Sequence, residues 1–390
     1  MRWLSLLLIL FTSSLHAETN VSGSVSTQLR YFHQDPQWPG QFSGRQASIA
    51  IEPEFRTKVG EGKFTFIPFY RHDEHDDERS HFDIRELHWQ TQFDDWDVLI
   101  GINSLFWGVT ESRHLVDIIN QTDFVENLDN EDKLGQPMIQ FGWVQDWGVL
   151  NFVVLPGFRE RTFPAAEGRL RTPLPIDTDN AHYESGAEDK HIDFALRYTH
   201  VIDDWDLGAY YFYGTSREPR LLLNNSGTAL IPYYDLINQV GVDLQLTQEA
   251  WLWKLEAIGR EGQGKTFVAM VAGFEYTFYQ LANSSTDLGV LFEYLYDDRD
   301  ASAPQTFSDD DIFAGLRLAL NDVDDTSILT GMILDRHTEE KLITFEAETR
   351  LSERWTLDAE ARWFVDIEKN GLLNSLASDD YVQVEVAYHF

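Results

Sequence analysis

The chain ends in Tyr381-Val-Gln-Val-Glu-Val-Ala-Tyr-His-Phe390, where apolar side chains alternate with polar or small ones. An alternation with a period of two predicts a β-strand with one apolar and one polar face. The segment 354–367 shows the same alternation just before it. Soluble β-sandwiches also contain single strands of this kind, so the number, length and spacing of the strands must decide the fold.

Alternating segments recur along the whole chain, and each is about nine residues or longer, the length that a tilted strand needs to cross a bilayer. About eighteen can be counted, over residues 22–33, 45–58, 63–73, 81–93, 96–108, 136–145, 148–157, 191–202, 205–217, 234–247, 251–261, 266–279, 286–297, 311–321, 327–336, 341–351, 354–367 and 380–390. The sequence therefore predicts an all-β chain of about 18 strands, with 16 as the alternative count.

The connections between these segments fall into two alternating classes. Every second one is short: Gly60–Gly62, Asp94-Asp95, Asp146-Trp147, Asp203-Asp204, Gln248-Glu249, Ser284-Ser285, Val323–Thr326 and Ser352-Glu353. The others are mostly longer and polar: 34–44, 74–80, 109–135, 158–190, 218–233, 298–310 and 368–379, with short exceptions near 262–265 and 337–340. This alternation is typical of a transmembrane antiparallel up-and-down β-barrel with short periplasmic turns and long extracellular loops.

Tryptophan recurs at the tight turns, as in Asp-Asp-Trp-Asp at 94–97 and 203–206. An indole at that depth would lie in the headgroup zone, with its ring toward lipid and its N–H toward water. The alternative is a recurrent hairpin of a soluble sandwich whose Trp packs the core. The predicted aromatic girdle comprises Trp96, Trp147, Trp205, Trp251, Trp355, Tyr388 and Phe390.

The composition excludes several classes of protein. The 390 residues carry a formal net charge of −35, are 14% aromatic and contain no Cys. So many aromatic side chains require burial, which argues against disorder. The acidity argues against a nucleic-acid partner because phosphate would be repelled. Without Cys, no disulfide or thiolate metal site can form.

The N-terminus indicates export. Arg2 precedes the apolar run 3–11 and a small, polar stretch that ends at Ala17, which is the pattern of a secretory signal peptide. We therefore expect residues 1–17 to be a signal peptide and 18–390 to form a single outer-membrane β-barrel domain. The start of the first strand leaves little room for a plug, which disfavours TonB-type receptors and assembly barrels.

Two short motifs resemble known outer-membrane proteins. Val384–Phe390 resembles the C-terminal assembly signal of Gram-negative barrels. Residues 101–111, with Trp107-Gly108 and Glu111, and then 118–123 resemble the Trp-Gly-x-x-Glu … Ile-Asn-x-x-Asp pattern of a little-characterised family of porin-like proteobacterial barrels. The resemblance implies a pore in the cell outer membrane and the barrel-assembly machinery as a partner of the C-terminal strand. It names no transported solute.

The polar faces of the strands carry many charges, which at bilayer depth require a wet lumen or a buried network. The predicted wall residues are Glu52, Glu54, Arg56, Glu346, Glu348, Arg350, Glu360 and Arg362. They could form a screening surface or a lattice that cross-links neighbouring strands. The collective excess of carboxylates predicts a mild preference for cations.

The loop 109–135 is the predicted constriction. Thr110 can cap a helix over 111–119 whose apolar face would need cover from the barrel interior. Arg113, Asp117, Asp123 and Glu126 would then line the pore, although the loop could instead fold over the outer rim. The loop 158–190 is a second candidate lid.

The loop 158–190 also contains the basic cluster of the sequence. Its arginines are Arg159, Arg161, Arg169 and Arg171. Guanidinium groups recognise carboxylate and phosphate. The cluster therefore suggests contact with an anionic ligand or with lipopolysaccharide phosphate.

No metal site, catalytic site or cofactor is predicted. His72, His75 and His81 lie in an acidic stretch, but their spacing matches no defined metal site, and only weak Ca²⁺ or Mg²⁺ binding at the acidic loops 297–300 and 309–311 is left open. The expected function is a porin for passive diffusion of small polar solutes, with outer-membrane lipid and lipopolysaccharide as neighbours. The alternatives are a lipase-type or protease-type barrel enzyme and a non-conducting structural or adhesive barrel.

Overall fold

A closed antiparallel barrel organises residues 19–390, the part of the chain that the computed structural model describes; the predicted signal peptide lies outside it. The strands are β1 (Asn20–Phe32), β2 (Arg45–Val59), β3 (Gly62–Asp73), β4 (Phe82–Gln92), β5 (Trp96–Asn103), β6 (Gln136–Gln145), β7 (Gly148–Pro156), β8 (His182–Tyr183), β9 (Ile192–Ile202), β10 (Trp205–Thr215), β11 (Arg220–Leu223), β12 (Leu230–Tyr234), β13 (Leu236–Gln248), β14 (Trp251–Glu261), β15 (Phe267–Phe278), β16 (Asp287–Asp297), β17 (Asp310–Ala319), β18 (Ser327–Asp335), β19 (Lys341–Ser352), β20 (Trp355–Val365) and β21 (Tyr381–His389). Strands β8, β11 and β12 form a small separate sheet in the loops.

The other eighteen strands pair with their neighbours in chain order, and β1 pairs with both β2 and β21, which closes the barrel. The predicted fold class and the count of 18 are confirmed. Each predicted strand corresponds to a strand of the barrel. Closure leaves no unpaired sheet edge in the wall, as a spanning structure in lipid requires.

One predicted strand, 96–108, is too long. Strand β5 ends at Asn103 because the chain then leaves the wall for the barrel interior. The side chain of Asn120 takes the place of a neighbouring strand: its Nδ2 donates to the Asn103 carbonyl at 2.9 Å, and its Oδ1 accepts from the Leu105 N–H at 2.9 Å.

The two rims of the barrel differ. At the rim that we call the turn end, most connections are tight, as at 60–61, 146–147 and 203–204. Asp203 adopts a positive φ of 51°, which suits the two-residue hairpins that match the strand twist. The long connections 104–135 and 157–191 lie at the other rim, which we call the loop end. The pairing of Gly23 with Phe390 places both ends of the barrel sequence at the turn end.

The side-chain alternation separates the two faces of the wall. On β14, the outward Trp251 and Trp253 are exposed, whereas the inward Glu256 and Arg260 are buried inside the barrel. The same contrast of exposed apolar and inward polar residues holds around the barrel. An exposed apolar belt of this extent is stable only when lipid covers it.

The helix predicted over 111–119 is wrong. Residues 104–135 contain no helix, and in the described range 19–390 helical structure is limited to four short 3₁₀ segments. No helix in that range is long and apolar enough to cross a membrane. Five backbone N–H groups in the segment 109–116 do not need a helix because carboxylates of the barrel wall accept their hydrogen bonds, as described next.

Candidate functional site in the barrel lumen

The connection 104–135 lies inside the barrel, and Glu256 on β14 holds its first part. The Glu256 carboxylate accepts hydrogen bonds from the backbone N–H groups of Val109 at 2.7 Å, Thr110 at 3.0 Å and Val116 at 3.1 Å. It also accepts the Thr110 hydroxyl at 2.7 Å. Glu256 is fully buried, so these four donors replace its hydration.

A second wall carboxylate holds the next residues. Glu293 on β16 accepts the N–H groups of Glu111 and Ser112, each at 2.8 Å, and the Ser112 hydroxyl. The Arg113 guanidinium reaches Asp297 on the same strand at 3.3 Å. The predicted constriction residue Arg113 is therefore bound to the wall and does not hang free in the pore.

Apolar packing fixes the middle of the same connection. Val116 and Ile119 are fully buried, and Trp107 packs against Tyr210 of β10 with ring centroids 5.1 Å apart. Burial of an aliphatic side chain of this size stabilises by about 1.5–3 kcal/mol. The inner wall under this segment is apolar, with Phe212 and Ile258 in the same cluster.

Ion pairs hold the second half of the connection against β3 and β4. Asp123 bonds to Arg85 at 2.7 Å and lies 3.1 Å from the His81 ring, and Glu126 bonds to Arg71 at 2.8 Å. Burial opposes ionisation of Asp123, but its bonds to His81 and Arg85 outweigh that and lower its pKa to about 2. Asp123 and Glu126, both predicted to line the pore, are thus members of a buried charge network.

The same network contains a metal-like triad. One ligand atom each from His81, Asp123 and Glu126 lies within 4.8 Å of the others. However, Arg85 and Arg71 already pair with the two carboxylates, and two guanidinium charges disfavour a cation between them. The arrangement is that of an ion-pair network.

The four arginines of the connection 157–191 have different surroundings. Arg159 pairs with Asp83 at 2.5 Å, and the buried Arg169 pairs with Asp379 at 2.6 Å. Arg171 donates only to backbone carbonyls, among them those of Ala166 and Thr172. Among the described residues, the Arg161 side chain makes one hydrogen bond, from Nε to Gln121 Oε1 at 3.4 Å.

Other predicted pore residues lie between the middle of the barrel and the turn end. Glu52, Glu54 and Arg56 are partly exposed on the inward face of β2, and Arg56 pairs with Glu54. On β19, Glu346 is half-buried midway along the strand and also lines a cavity at the loop end, whereas Glu348 is exposed nearer the turn end.

The remaining predicted pore residues are partly bound. The exposed Arg350 pairs with Asp325 of a turn at 2.9 Å, and Arg362 joins Glu360 at 2.7 Å. Arg362 also binds Asp129 of the inward connection at 2.9 Å. Asp117 pairs with Lys133 within the connection at 2.9 Å.

A cavity of about 660 Å³ lies inside the loop end, between the inward connections and the wall. A smaller pocket of about 70 Å³ is lined largely by apolar side chains, and the two share the lining residues Leu128, Phe307 and Leu342. Arg161, Arg217 and several other basic side chains line the larger cavity.

Sequence reasoning missed a group of charges around Glu218. Its carboxylate pairs with Arg260 and with Arg299 at 3.2 Å, and Arg113 approaches to 3.8 Å. These guanidinium groups lower the pKa of Glu218 well below its usual value despite the burial that raises it. Glu218 and Arg299 lie in loops without periodicity, so no pattern marked them.

The predicted girdle residues lie at the turn end. Trp96, Trp205 and Trp251 begin strands, and Trp147 lies in the turn before β7. Their exposures are 38%, 42%, 38% and 45%. Trp355 and Tyr388 contact each other with centroids 5.1 Å apart, and Phe390 is exposed.

Three histidines lie near a carboxylate or a hydroxyl, as a catalytic histidine would. His191 Nδ1 lies 2.8 Å from Asp193, and His88 lies 3.6 Å from Glu86. Ser80 Oγ approaches His72 Nδ1 at 3.4 Å at the exposed loop end, and the same hydroxyl donates to the Asp73 carbonyl. No described carboxylate orients the His72 ring, as a nucleophile–base–orienter arrangement would require.

Comparisons with known proteins identify the class of fold. No model of a known protein family matches the chain, and no functionally curated protein matches it. OccAB3 of Acinetobacter baumannii is similar over 95% of this chain and 99% of its own, with a TM-score of 0.54 and 10% identity. A BenF-like porin from Pseudomonas fluorescens Pf-5 is similar over 96% and 98%, with a TM-score of 0.56 and 10% identity.

A third similar structure is that of Wzi from Escherichia coli, described as a carbohydrate-binding β-barrel involved in group 1 capsule assembly. The similarity extends over 99% of this chain and 87% of the Wzi chain, with a TM-score of 0.54 and 10% identity. At this identity the likenesses show the fold alone. The chain therefore has the fold of outer-membrane β-barrels, and together with its apolar outer belt this places it in an outer membrane.

Proposed function

We propose that this chain is an outer-membrane channel for passive diffusion of small polar solutes, narrowed by the inward connection 104–135. The observation that carries the proposal is an inner wall that is charged and open to water at the turn end and that continues into a cavity of about 660 Å³ at the loop end. Eighteen strands enclose an interior wide enough for an aqueous path.

The residues at the turn end support a wet lumen. Glu52 and Glu348 lie on the inward face at the depth of the lipid belt and make no ion pair with an inward connection. Uncompensated charges at that depth are stable only in water. Carboxylates outnumber arginines on this part of the wall, so we propose that the turn end itself mildly favours cations.

Planar-bilayer recording on the purified, folded protein tests the proposal. We expect stepwise increases in current as single barrels insert, with a reversal potential in a KCl gradient that indicates mild cation preference. The electrophoretic shift between the folded and the heat-denatured protein provides the control for folding. No conductance over many insertions of folded protein would contradict the channel.

We also propose that the barrel is not an enzyme. The support is the absence, in residues 19–390, of a hydroxyl–imidazole–carboxylate arrangement such as acyl transfer requires. Release of fatty acid from phospholipid vesicles is the assay, with His191→Ala and His88→Ala as the matched variants. Hydrolysis by the parent chain that either variant abolishes would overturn this part of the proposal.

The proposed partners follow from the exposed surface. Lipid and lipopolysaccharide would cover the apolar belt, and the C-terminal strand would be recognised by the barrel-assembly machinery. Phe390 closes the barrel by exchanging backbone hydrogen bonds with Gly23, at 3.2 and 3.0 Å. Deletion of Phe390 should lower the amount of folded barrel in the outer membrane, measured by heat-modifiable mobility, whereas Phe390→Tyr should not.

A further inference from the structure

The lining of the cavity at the loop end has the opposite charge to the whole chain. Eight arginine or lysine side chains and six carboxylates line it, although the chain as a whole has a formal charge of −35. The cavity is therefore locally basic, and its low-dielectric walls strengthen the field at its centre. The carboxylates of the lining are therefore too few to neutralise all of its cations.

Most of the basic side chains in the cavity have acidic partners. Arg217 pairs with Asp193 at 2.7 Å, and Arg260 pairs with Glu218. Arg161 differs from them: among residues 19–390 no carboxylate lies within 4.0 Å of it, and its two Nη groups have no hydrogen-bond partner.

The Arg161 side chain is nevertheless held in place. Its Nε donates to Gln121 Oε1 at 3.4 Å, its guanidinium lies over the Phe124 ring at 6.0 Å, and the backbone N–H of the same residue donates to the Tyr234 hydroxyl at 3.1 Å. Burial lowers the pKa of Arg161 even though Glu218 is near, so the charge is under-compensated where it lies. Two free Nη groups on a positioned guanidinium form a fork that fits two oxygens of a carboxylate or phosphate.

Two aromatic side chains line one side of this fork. Phe124 packs against Phe163 at 6.3 Å between centroids, and both line the cavity with Arg161. Further along the lining, Phe307 and Leu342 lead into the adjoining pocket of about 70 Å³. A solute that fits this lining carries an anionic head and a compact apolar body.

We propose that the cavity is a binding site for an organic oxyanion, a carboxylate or a phosphate monoester with a short apolar body, and that Arg161 holds its head group. This inference rests on the proposed channel and names the substrate class of its loop end. The anion accepts hydrogen bonds from both Nη groups of Arg161 and compensates the free charge. Its apolar body replaces water along Phe124, Phe163 and the adjoining pocket.

Block of single-channel current tests the proposal with four probes of one chain length: hexanoate, hexyl phosphate, hexylammonium and hexanol. We expect brief current interruptions with one or both anions, and none with the cation or the alcohol at the same concentration. A stronger block by hexyl phosphate than by hexanoate identifies a phosphate site, and the reverse order identifies a carboxylate site. Equal block by hexanol and hexanoate would overturn the role of the charge.

Two variants of Arg161 and one matched control localise the block. Arg161→Gln should raise the half-blocking concentration at least about tenfold, because a charge-assisted pair of hydrogen bonds is lost. Arg161→Lys keeps the charge but loses the fork, so the half-blocking concentration should rise less than in Arg161→Gln. Arg220→Gln is the control, because Arg220 also lines the cavity but is already paired with Asp235.

The outcomes separate this inference from the channel itself. Conductance without anion block, or a block that Arg161→Gln leaves unchanged, would overturn the binding site and leave the channel intact. Absence of conductance in the folded parent chain would overturn the channel. Heat-modifiable mobility of each variant shows whether it folds. Arg161 is a mild site for substitution because, within residues 19–390, its side chain makes one protein hydrogen bond, to Gln121.

Discussion

The two ends of the lumen are built from the same strands but have different surroundings. On β2, Ser48 and Ala50 near the loop end are buried, whereas Glu52, Glu54 and Arg56 toward the turn end are half-exposed or nearly so. On β14, Glu256 is fully buried near the middle, and Lys254 toward the turn end is less buried. At the loop end the inward face contacts protein; at the turn end it is accessible to water.

This difference shows what strand alternation determines. Alternation separates the inward from the outward face, because successive side chains point to opposite sides. It does not determine whether the inward face meets water or a returning segment of the chain. The difference between the ends is set by the connections 104–135 and 157–191, and the predictions below are directed at them.

The largest effect is expected from Glu256→Ala. Four buried donors of the segment 109–116 would lose their acceptor, and each unsatisfied buried donor costs about 1–3 kcal/mol. Because the chain has no Cys, a Val116→Cys reporter can be labelled with a hydrophilic maleimide. We expect labelling of the reporter to be on the order of 100-fold faster in the Glu256→Ala background.

Glu348→Ala is the control for this experiment. Glu348 is also an inward carboxylate, on β19, and within residues 19–390 its side chain accepts a hydrogen bond only from the Ser327 hydroxyl of the wall strand β18, at 3.1 Å. The reporter should label as slowly in this background as in the parent. Equal labelling in all three backgrounds would show that Glu256 does not hold the connection inside the barrel.

Asp123→Ala should have the next largest effect, on stability. The change removes one of the two buried carboxylates that pair with Arg85 and leaves only Asp83 at 3.0 Å; breaking a buried ion pair costs at most roughly 3–5 kcal/mol. The temperature at which the folded band is lost in SDS gels measures the effect. Asp95→Ala, in an exposed turn, is the control and should leave that temperature unchanged; a similar fall in both variants would contradict the network.

Charge removal at the turn end should change selectivity and leave stability almost unaffected. Glu54→Gln with Glu348→Gln removes two wall carboxylates that no inward connection binds, so the free energy of unfolding should change by only about 0.5 kcal/mol per site. The reversal potential in a KCl gradient should move toward anion preference. Glu61→Gln, in an exposed turn, should not move it, and a marked loss of folded protein in the double variant would contradict a wet turn end.

The smallest effect expected is a pH dependence at His114. Its ring lies 3.7 Å from Glu131 and 3.9 Å from Glu256, too far for hydrogen bonds, so the carboxylates act on it through charge. Burial alone would lower the pKa of His114, but these neighbours raise it from 6.5 to about 9. The stabilising contribution is therefore complete below about pH 6.5 and is lost as the pH rises through about 9.

Current noise between pH 7 and pH 10 measures this effect. We expect more frequent fluctuations above pH 9 in the parent chain, because the attachment of the segment 109–116 weakens. His114→Gln should show the same noise at both pH values if the ring is the titrating group. An equal rise in noise in His114→Gln would assign the effect to another group.

The barrel could be predicted from the sequence because its determinants are local. Each strand shows its period of two within about ten residues, and the turns show in the positions of Asp, Glu and Gly. Trp96 and Trp205 mark the start of strands in the same way. The predicted boundaries therefore differ from the observed ones by a few residues, except at β5, where the chain enters the lumen.

The path of the inward connection could not be predicted, because its partners are remote in sequence. Glu256 follows Thr110 by 146 residues, and Glu293 follows Glu111 by 182. The apolar positions Val116 and Ile119 correctly indicate burial, but the helix face predicted from them is wrong. Arg161 is one of four arginines in the basic cluster. The sequence does not show that Asp83, Asp379 and backbone carbonyls pair with the other three.

Single-channel recording of the parent chain and of the double variant Glu256→Ala/Glu293→Ala under identical conditions tests the central claim most directly. The account predicts discrete conductance steps in both, with larger steps in the variant because the segment 109–116 no longer narrows the lumen. Absence of steps in both folded proteins, or steps of equal size, would contradict a channel that its inward connection constricts.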